Sequence, residues 1–196
     1  MDAMHPRKKI LLQEAARLFR EKSFEVATLR ELAKCAGIKG GSVYYHFSSK
    51  QEILFCIMHY TLTELTSQLE EALKTESDPE KKLHKAIEIH VNYHIKNKDM
   101  TYVTDSEIRS LTAEQHYNII EKRKKYENLF SGIVDKITQA NDQKGLNSKL
   151  STFAILQMCT GVSYWYNDNG PLGVEDIVKA YFNLSCRGLQ GNDNVG

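Results

Sequence analysis

Helix start signals punctuate this chain at regular intervals. Thr28-Leu29-Arg30-Glu31 has capping-box spacing: a threonine hydroxyl for an orphan backbone N–H, and a glutamate three residues on to reach back. Ser49 with Glu52 and Thr112 with Gln115 repeat it. Asp78-Pro79 sets a cap ahead of a first-turn proline. Between these signals apolar residues recur at helical spacing, as in Leu11, Ala15, Leu18 and Phe19. Strand signals are weak, and the chain has only 3 prolines and 11 glycines. An all-α fold of eight or nine helices follows. The first begins near Pro6, with Leu11, Ala15, Leu18 and Phe19 inward. The second runs from Thr28 to about Ala36-Gly37, with Leu29, Leu32 and Ala33 inward. A long helix opens at Ser49 and reaches about Leu73. Breaks are expected at Gly145 to Ser148 and at "NDNGPLG", Asn167 to Gly173, and only "GNDNVG" at the end reads as disordered.

The stretch "KGGSVYYHFSSKQEIL", Lys39 to Leu54, follows the second helix directly. Gly37 suits the left-handed residue that ends a helix. A short helix is expected from Gly40 to Phe47, so residues 28–47 read as a helix-turn-helix. Val43 and Phe47, four apart, anchor it inward. Ser42, Tyr44, Tyr45 and His46 are left facing out or sideways. Gly40 and Gly41 leave a bare helix tip that lets backbone N–H groups approach a phosphate. Polar tips on aromatic bodies suit a contact surface on DNA; half-buried packing is the competing reading of Tyr44 and Tyr45.

A net charge of +1 says little about nucleic acid, but residues 1–52 carry +4 and the rest −3. A basic head on an acidic body fits a head that meets phosphate. No apolar run approaches the roughly 20 residues of a membrane span. The basic N-terminus is interrupted by Gln13, Glu14 and Arg17, unlike a signal peptide. The four cysteines (Cys35, Cys56, Cys159 and Cys186) form no CxxC pair, which points to a reduced, cytoplasmic setting. Walker, Rossmann, GxSxG and HExxH motifs are missing, so no enzyme chemistry is indicated.

The segment "TLRELAKCAGIKGGSVYYHFSSKQEIL", Thr28 to Leu54, closely resembles the DNA-binding signature of the TetR family of bacterial transcriptional regulators. The match runs without a gap through Thr28, Ala33, Ala36, Gly37, Ser42, Val43, Tyr44, Tyr45, His46, Phe47, Lys50 and Leu54. Ser23 stands where glycine is usual, Lys39 where serine is common, and Gly40 where a basic residue is common. The resemblance implies a three-helix DNA-binding domain over residues 1–50 and a larger ligand-binding and dimerisation domain over 51–196. It places Tyr44, His46 and Lys50 on phosphates. Arg30, Ser42 and Tyr45 fall nearest base edges, and Lys39 and Gly41 at the groove margin; Thr28, which opens the second helix, also belongs to the implied DNA-binding set. Arginine suits guanine, whose O6 and N7 its fork grips together. The family are dimers, so a near-palindromic operator is expected.

Two stretches of the body resemble the acyl-CoA-responsive branch of that family: "DSEIRSLTAEQHYNIIEKRKKYENLF", Asp105 to Phe130, and "GVSYWYNDNGPLGVEDIVKAYFNLSCRGL", Gly161 to Leu189. In the first, Glu107, Arg109, Leu111, Ile120, Arg123 and Tyr126 match. In the second, Trp165-Tyr166 precede a glycine-containing break. The implied effector is a long-chain acyl-CoA or related CoA thioester that releases the protein from DNA; no cofactor or metal is implied. Such a molecule needs an apolar tunnel and cationic forks. Arg109 and Arg123 offer forks, and Tyr102, Tyr126, Phe130, Met158, Trp165 and Tyr166 a lining. Ordinary core packing and a solvated Lys122–Lys125 face are the competing readings.

A different effector, whether a generic hydrophobic compound, a metal or an oxidant, is the alternative. His90 and His94, four apart, with His84 and Glu88 nearby, suggest a metal, and Cys56 or Cys159 an oxidant. The last two helices, about Ser148 to Tyr166 and Val174 to Leu189, are expected to form a homodimer. Ala154, Gly161 and Ser163 would allow close approach. Ile155, Leu156, Val162, Ile177, Tyr181 and Leu184 would supply apolar area.

Overall fold

The computed structural model describes residues 5–142 and 146–190. The proposed disordered tail "GNDNVG" and Gly145 of the proposed break lie outside them. Among the described residues there are nine α-helices, one 3-10 turn and no strand. The helices are α1 (Pro6–Lys22), α2 (Leu29–Cys35), α3 (Gly40–His46), α4 (Lys50–Lys74), α5 (Pro79–Lys96), α6 (Lys98–Ser106), α7 (Ala113–Ala140), α8 (Ser148–Trp165) and α9 (Val174–Gln190).

The capping chemistry is as the sequence implies. Thr28 Oγ1 accepts from Glu31 N at 3.2 Å, and Glu31 Oε2 accepts from Thr28 N at 3.0 Å. Asp78 Oδ1 accepts from the N–H groups of Glu80 and Lys81. Thr112 and Gln115 bond reciprocally at 3.3 Å. At α4 the arrangement differs. Glu52 N donates to Ser49 Oγ at 3.1 Å, but the Glu52 carboxylate accepts from Ser48, N and Oγ each at 2.7 Å. The break between α5 and α6 at Asn97 carries no glycine or proline, so the sequence holds no local signal for it.

The chain forms two compact units. The first holds the described residues of Met1–Thr63 with Asn97–Lys122. Within this unit α6 packs against α1. Arg20 pairs with Asp99 at 2.9 Å and lies over the Tyr102 ring. Phe24 N donates to Glu107 Oε1 at 3.3 Å. The core here includes Leu12, Phe19, Leu32, Val43, Phe47, Ile53 and Leu54. Burying a side chain of this size stabilises by about 1.5–3 kcal/mol.

The second unit holds Glu64–Lys96 and the described residues of Arg123–Gly196. Its α5 packs against α8 and α9. Leu69, Leu83, Ile87, Phe130, Val134, Ile155, Cys159 and Val162 fill its core. The interior also contains His90 and His94.

Candidate nucleic-acid interface and effector region

α3 is held by two side chains. Val43 and Phe47 are 0 % and 1 % exposed, while Tyr44 and Tyr45 are 62 % and 86 % exposed. Half-buried packing is therefore not what Tyr44 and Tyr45 do within this chain. Gly41 and Ser42 are also exposed, and His46 is half-buried beneath Tyr45, their rings edge to face at 5.1 Å. A Cβ built on Gly40 or Gly41 would meet nothing within 4 Å. Intramolecular packing thus does not demand glycine at this tip. Gly37, at φ +64°, does need glycine, since it ends α2 in the left-handed region. Arg30 and Lys39 are exposed on the same helix-turn-helix.

Two of the expected DNA-binding residues make bonds within the chain. The Lys50 ammonium donates to the carbonyls of Phe24, Glu25 and Ala27 at 2.7, 2.9 and 2.9 Å, and lies over the Phe24 ring. Its three protons are used in tying the α1–α2 loop to the start of α4. Thr28 is a cap, its hydroxyl donating to Glu31 Oε2 at 2.9 Å. Glu31 is held down to a pKa of about 2, first by Lys22 and then by Thr28.

The expected effector residues fall in both units. Tyr102 and Arg109 belong to the first, Tyr102 against Arg20 and Arg109 exposed. Arg123, Tyr126, Phe130, Met158, Trp165 and Tyr166 belong to the second. Tyr126 and Phe130 are buried, Arg123, Met158 and Tyr166 half-buried, and Trp165 is 47 % exposed. Trp165 thus lies at the surface of its unit rather than in its interior. Of the charged run after Glu121, Lys122 donates to Thr63 Oγ1 at 3.0 Å and Lys125 pairs with Glu70 at 2.7 Å.

The histidines are not arranged for a metal. His90 Nδ1 bonds the Tyr126 hydroxyl and Nε2 the Thr160 hydroxyl, both at 3.0 Å. The His94 ring stacks on His90 at 4.0 Å and its Nδ1 donates to the His90 carbonyl. Burial pushes the pKa of His90 well down and that of His94 to about 4. Among the described residues no group of three His, Cys, Asp or Glu side chains is placed to hold a metal ion. Thr160 was missed in the sequence: one threonine in an apolar helix carries no local signal of a partner seventy residues away.

The proposed dimer face also changes. Ile155, Val162 and Ile177 lie in the second unit's own core, and Ser163 is buried. The apolar and aromatic side chains left outward include Leu150, Phe153, Ala154, Tyr164 and Trp165 on α8 and Ala180 and Leu184 on α9.

A helix-turn-helix carrying exposed tyrosines, in a chain that also folds a second helical unit, points to a DNA-binding regulator. Residues 11–56 match the pattern described as "Bacterial regulatory proteins, tetR family", and residues 76–189 match "Tetracyclin repressor-like, C-terminal domain". The chain belongs to the tetR family of bacterial transcriptional regulators and is not an enzyme. It is 24 % identical to the HTH-type transcriptional repressor KstR2 of Rhodococcus jostii (strain RHA1), covering 96 % of this chain and 93 % of that one. It is 25 % identical to the fatty acid metabolism regulator protein of Bacillus subtilis (strain 168), covering 77 % and 78 %. Its fold matches AibR, crystallised in complex with isovaleryl coenzyme A and operator DNA, with a TM-score of 0.81. The identity there is 21 %, over 91 % of this chain and 97 % of AibR. No helix among the described residues is long and apolar enough to cross a membrane.

Proposed function

We propose that this regulator is a homodimeric repressor of the bacterial cytoplasm that leaves a near-palindromic operator when it binds a CoA thioester, with a long-chain acyl-CoA as effector. The observation that carries the DNA reading is α3, anchored by Val43 and Phe47 with Tyr44 and Tyr45 turned outward. Tyr44 and His46 hold phosphates, Arg30, Ser42 and Tyr45 meet base edges, and Lys39 and Gly41 border the groove. Each subunit reads one half-site, and half-sites about 34–36 Å apart suit two heads. The outward Phe153 and Leu184 seat the partner's α8 and α9.

The CoA reading is supported by Arg123 and Tyr126, which match the acyl-CoA-responsive pattern, by the fatty acid regulator of Bacillus subtilis, and by the AibR complex. Effector binding releases DNA only through tighter binding to the state whose heads do not match the operator. Metal sensing loses its support with His90 and His94 committed to internal bonds.

Selection of bound sequences from a random duplex pool tests the DNA reading. It should return a near-palindrome, and Tyr45→Ala should abolish the enrichment while leaving the melting temperature unchanged. Undiminished enrichment by Tyr45→Ala would remove α3 from the interface.

A further inference from the structure

Three buried threonines of this protein's helices bond back to their own helix. Thr104, Thr138 and Thr152 each donate to a carbonyl of their own helix four residues earlier, at 2.7, 3.1 and 2.8 Å. Thr160 makes no such bond; its hydroxyl turns to His90 Nε2 instead. On the other side of the ring, Tyr126 bonds Nδ1. Burial keeps His90 neutral.

A neutral imidazole has one N–H and one bare nitrogen. One hydroxyl must therefore donate to the ring and the other must accept from it. The triad holds three protons, two hydroxyl and one imidazole, and its two bonds use two of them. The third belongs to whichever hydroxyl accepts the ring N–H. Tyr126 is 5 % exposed and packs against Phe130, so an unbonded phenol proton there is the costlier arrangement. The proton order is then Tyr126 O–H to Nδ1, and Nε2–H to Thr160 Oγ1. The unused O–H is on Thr160, at the half-buried end of the triad.

We infer that the Thr160 hydroxyl, aligned by His90 and Tyr126, is a hydrogen-bond donor for a carbonyl oxygen of the effector's acyl group. This rests on the effector reading proposed above, and names the atom by which the protein tells an acyl group from a plain alkyl chain. A thioester carbonyl accepts this bond; a thioether of the same length cannot. The stacked His94 ring, fixed through its own Nδ1 to the His90 carbonyl, holds the imidazole plane. Thr160 is thus a specificity residue, and His90 and Tyr126 position it.

The test uses the full chain and calorimetric binding of palmitoyl-CoA and of its S-hexadecyl-CoA thioether. The wild type should prefer the thioester by about tenfold, the range of one neutral hydrogen bond. Thr160→Val should reduce that preference to within about twofold while leaving thioether affinity unchanged. Thr160→Ser, which keeps the hydroxyl, should restore the preference. Thr160→Val weakening both ligands equally, or keeping the preference, would overturn the donor assignment. The methyl ester and methyl ether of the same chain provide the control without CoA. Carbonyl preference in that pair alone, lost in Thr160→Val, would support the donor but overturn the CoA reading. No carbonyl preference by the wild type in either pair would overturn the donor itself.

Discussion

The ammonium of Lys50 sits 2.7 Å from the carbonyl oxygen of Phe24. With the carbonyls of Glu25 and Ala27 it completes a three-pronged clamp on the α1–α2 loop. Lys50→Met should therefore lower stability by about 1–3 kcal/mol, since carbonyls lose a charged donor. It should not change the salt dependence of operator binding. Lys39→Ala should do the reverse, lowering the slope of log K against log salt by about 0.9 with no change in melting temperature. A slope change on Lys50→Met would return that residue to the phosphate set.

Ser23 follows α1 at φ 71° and ψ 155°, a conformation that suits glycine and strains a residue with a Cβ. Ser23→Gly should stabilise the protein by about 1 kcal/mol, with operator affinity unchanged. Thermal melting checks this; a lower melting temperature would mean that serine contributes more than its backbone strain costs.

The buried histidines set an acid limit. The folded pKa of His94 lies at about 4, below the ordinary 6.5, and that of His90 is also well down; burial is the first cause of each. Unfolded chains take up protons in this window that the folded protein refuses. Stability should thus fall as pH drops from 6.5 towards 4, by about 1.4 kcal/mol per pH unit for His94, with His90 adding in the same direction. Denaturant melts across this range should show the loss, and His94→Gln should flatten the curve. A wild-type curve that is flat between pH 6.5 and 4 would show both histidines charging freely in the folded state.

The outward face of α8 and α9 predicts assembly. Leu184 is 66 % exposed and Phe153 40 % exposed. Leu184→Glu should leave the subunit folded, because the side chain is outside its core, but give monomers by sedimentation and weaken operator binding. Dimers that persist would place the interface elsewhere.

The head was legible in the sequence because its signals are local. Capping pairs, Gly37 and the four-residue spacing of Val43 and Phe47 each act within one or two helical turns. The second unit was less legible. Ile155, Val162 and Ile177 are apolar at helical spacing, a pattern that fits a dimer face and the chain's own core equally well. His90 and His94 at helical spacing fit a metal or a packed polar pair equally well, and only the distant hydroxyls of Tyr126 and Thr160 distinguish them. Lys50 likewise binds a loop more than twenty residues away.

The central claim is release of the operator by a CoA thioester, and fluorescence anisotropy of labelled operator tests it most directly. Titration with long-chain acyl-CoA should return the signal to that of free DNA, whereas the free fatty acid or CoA alone should release little. The tail alone lacks the anionic handle, and CoA alone lacks apolar burial worth about 0.8 kcal/mol per CH₂. Arg123→Ala should bind the operator as the wild type does and need more acyl-CoA for release. Equal release by fatty acid and thioester, or none by any thioester, would contradict the account.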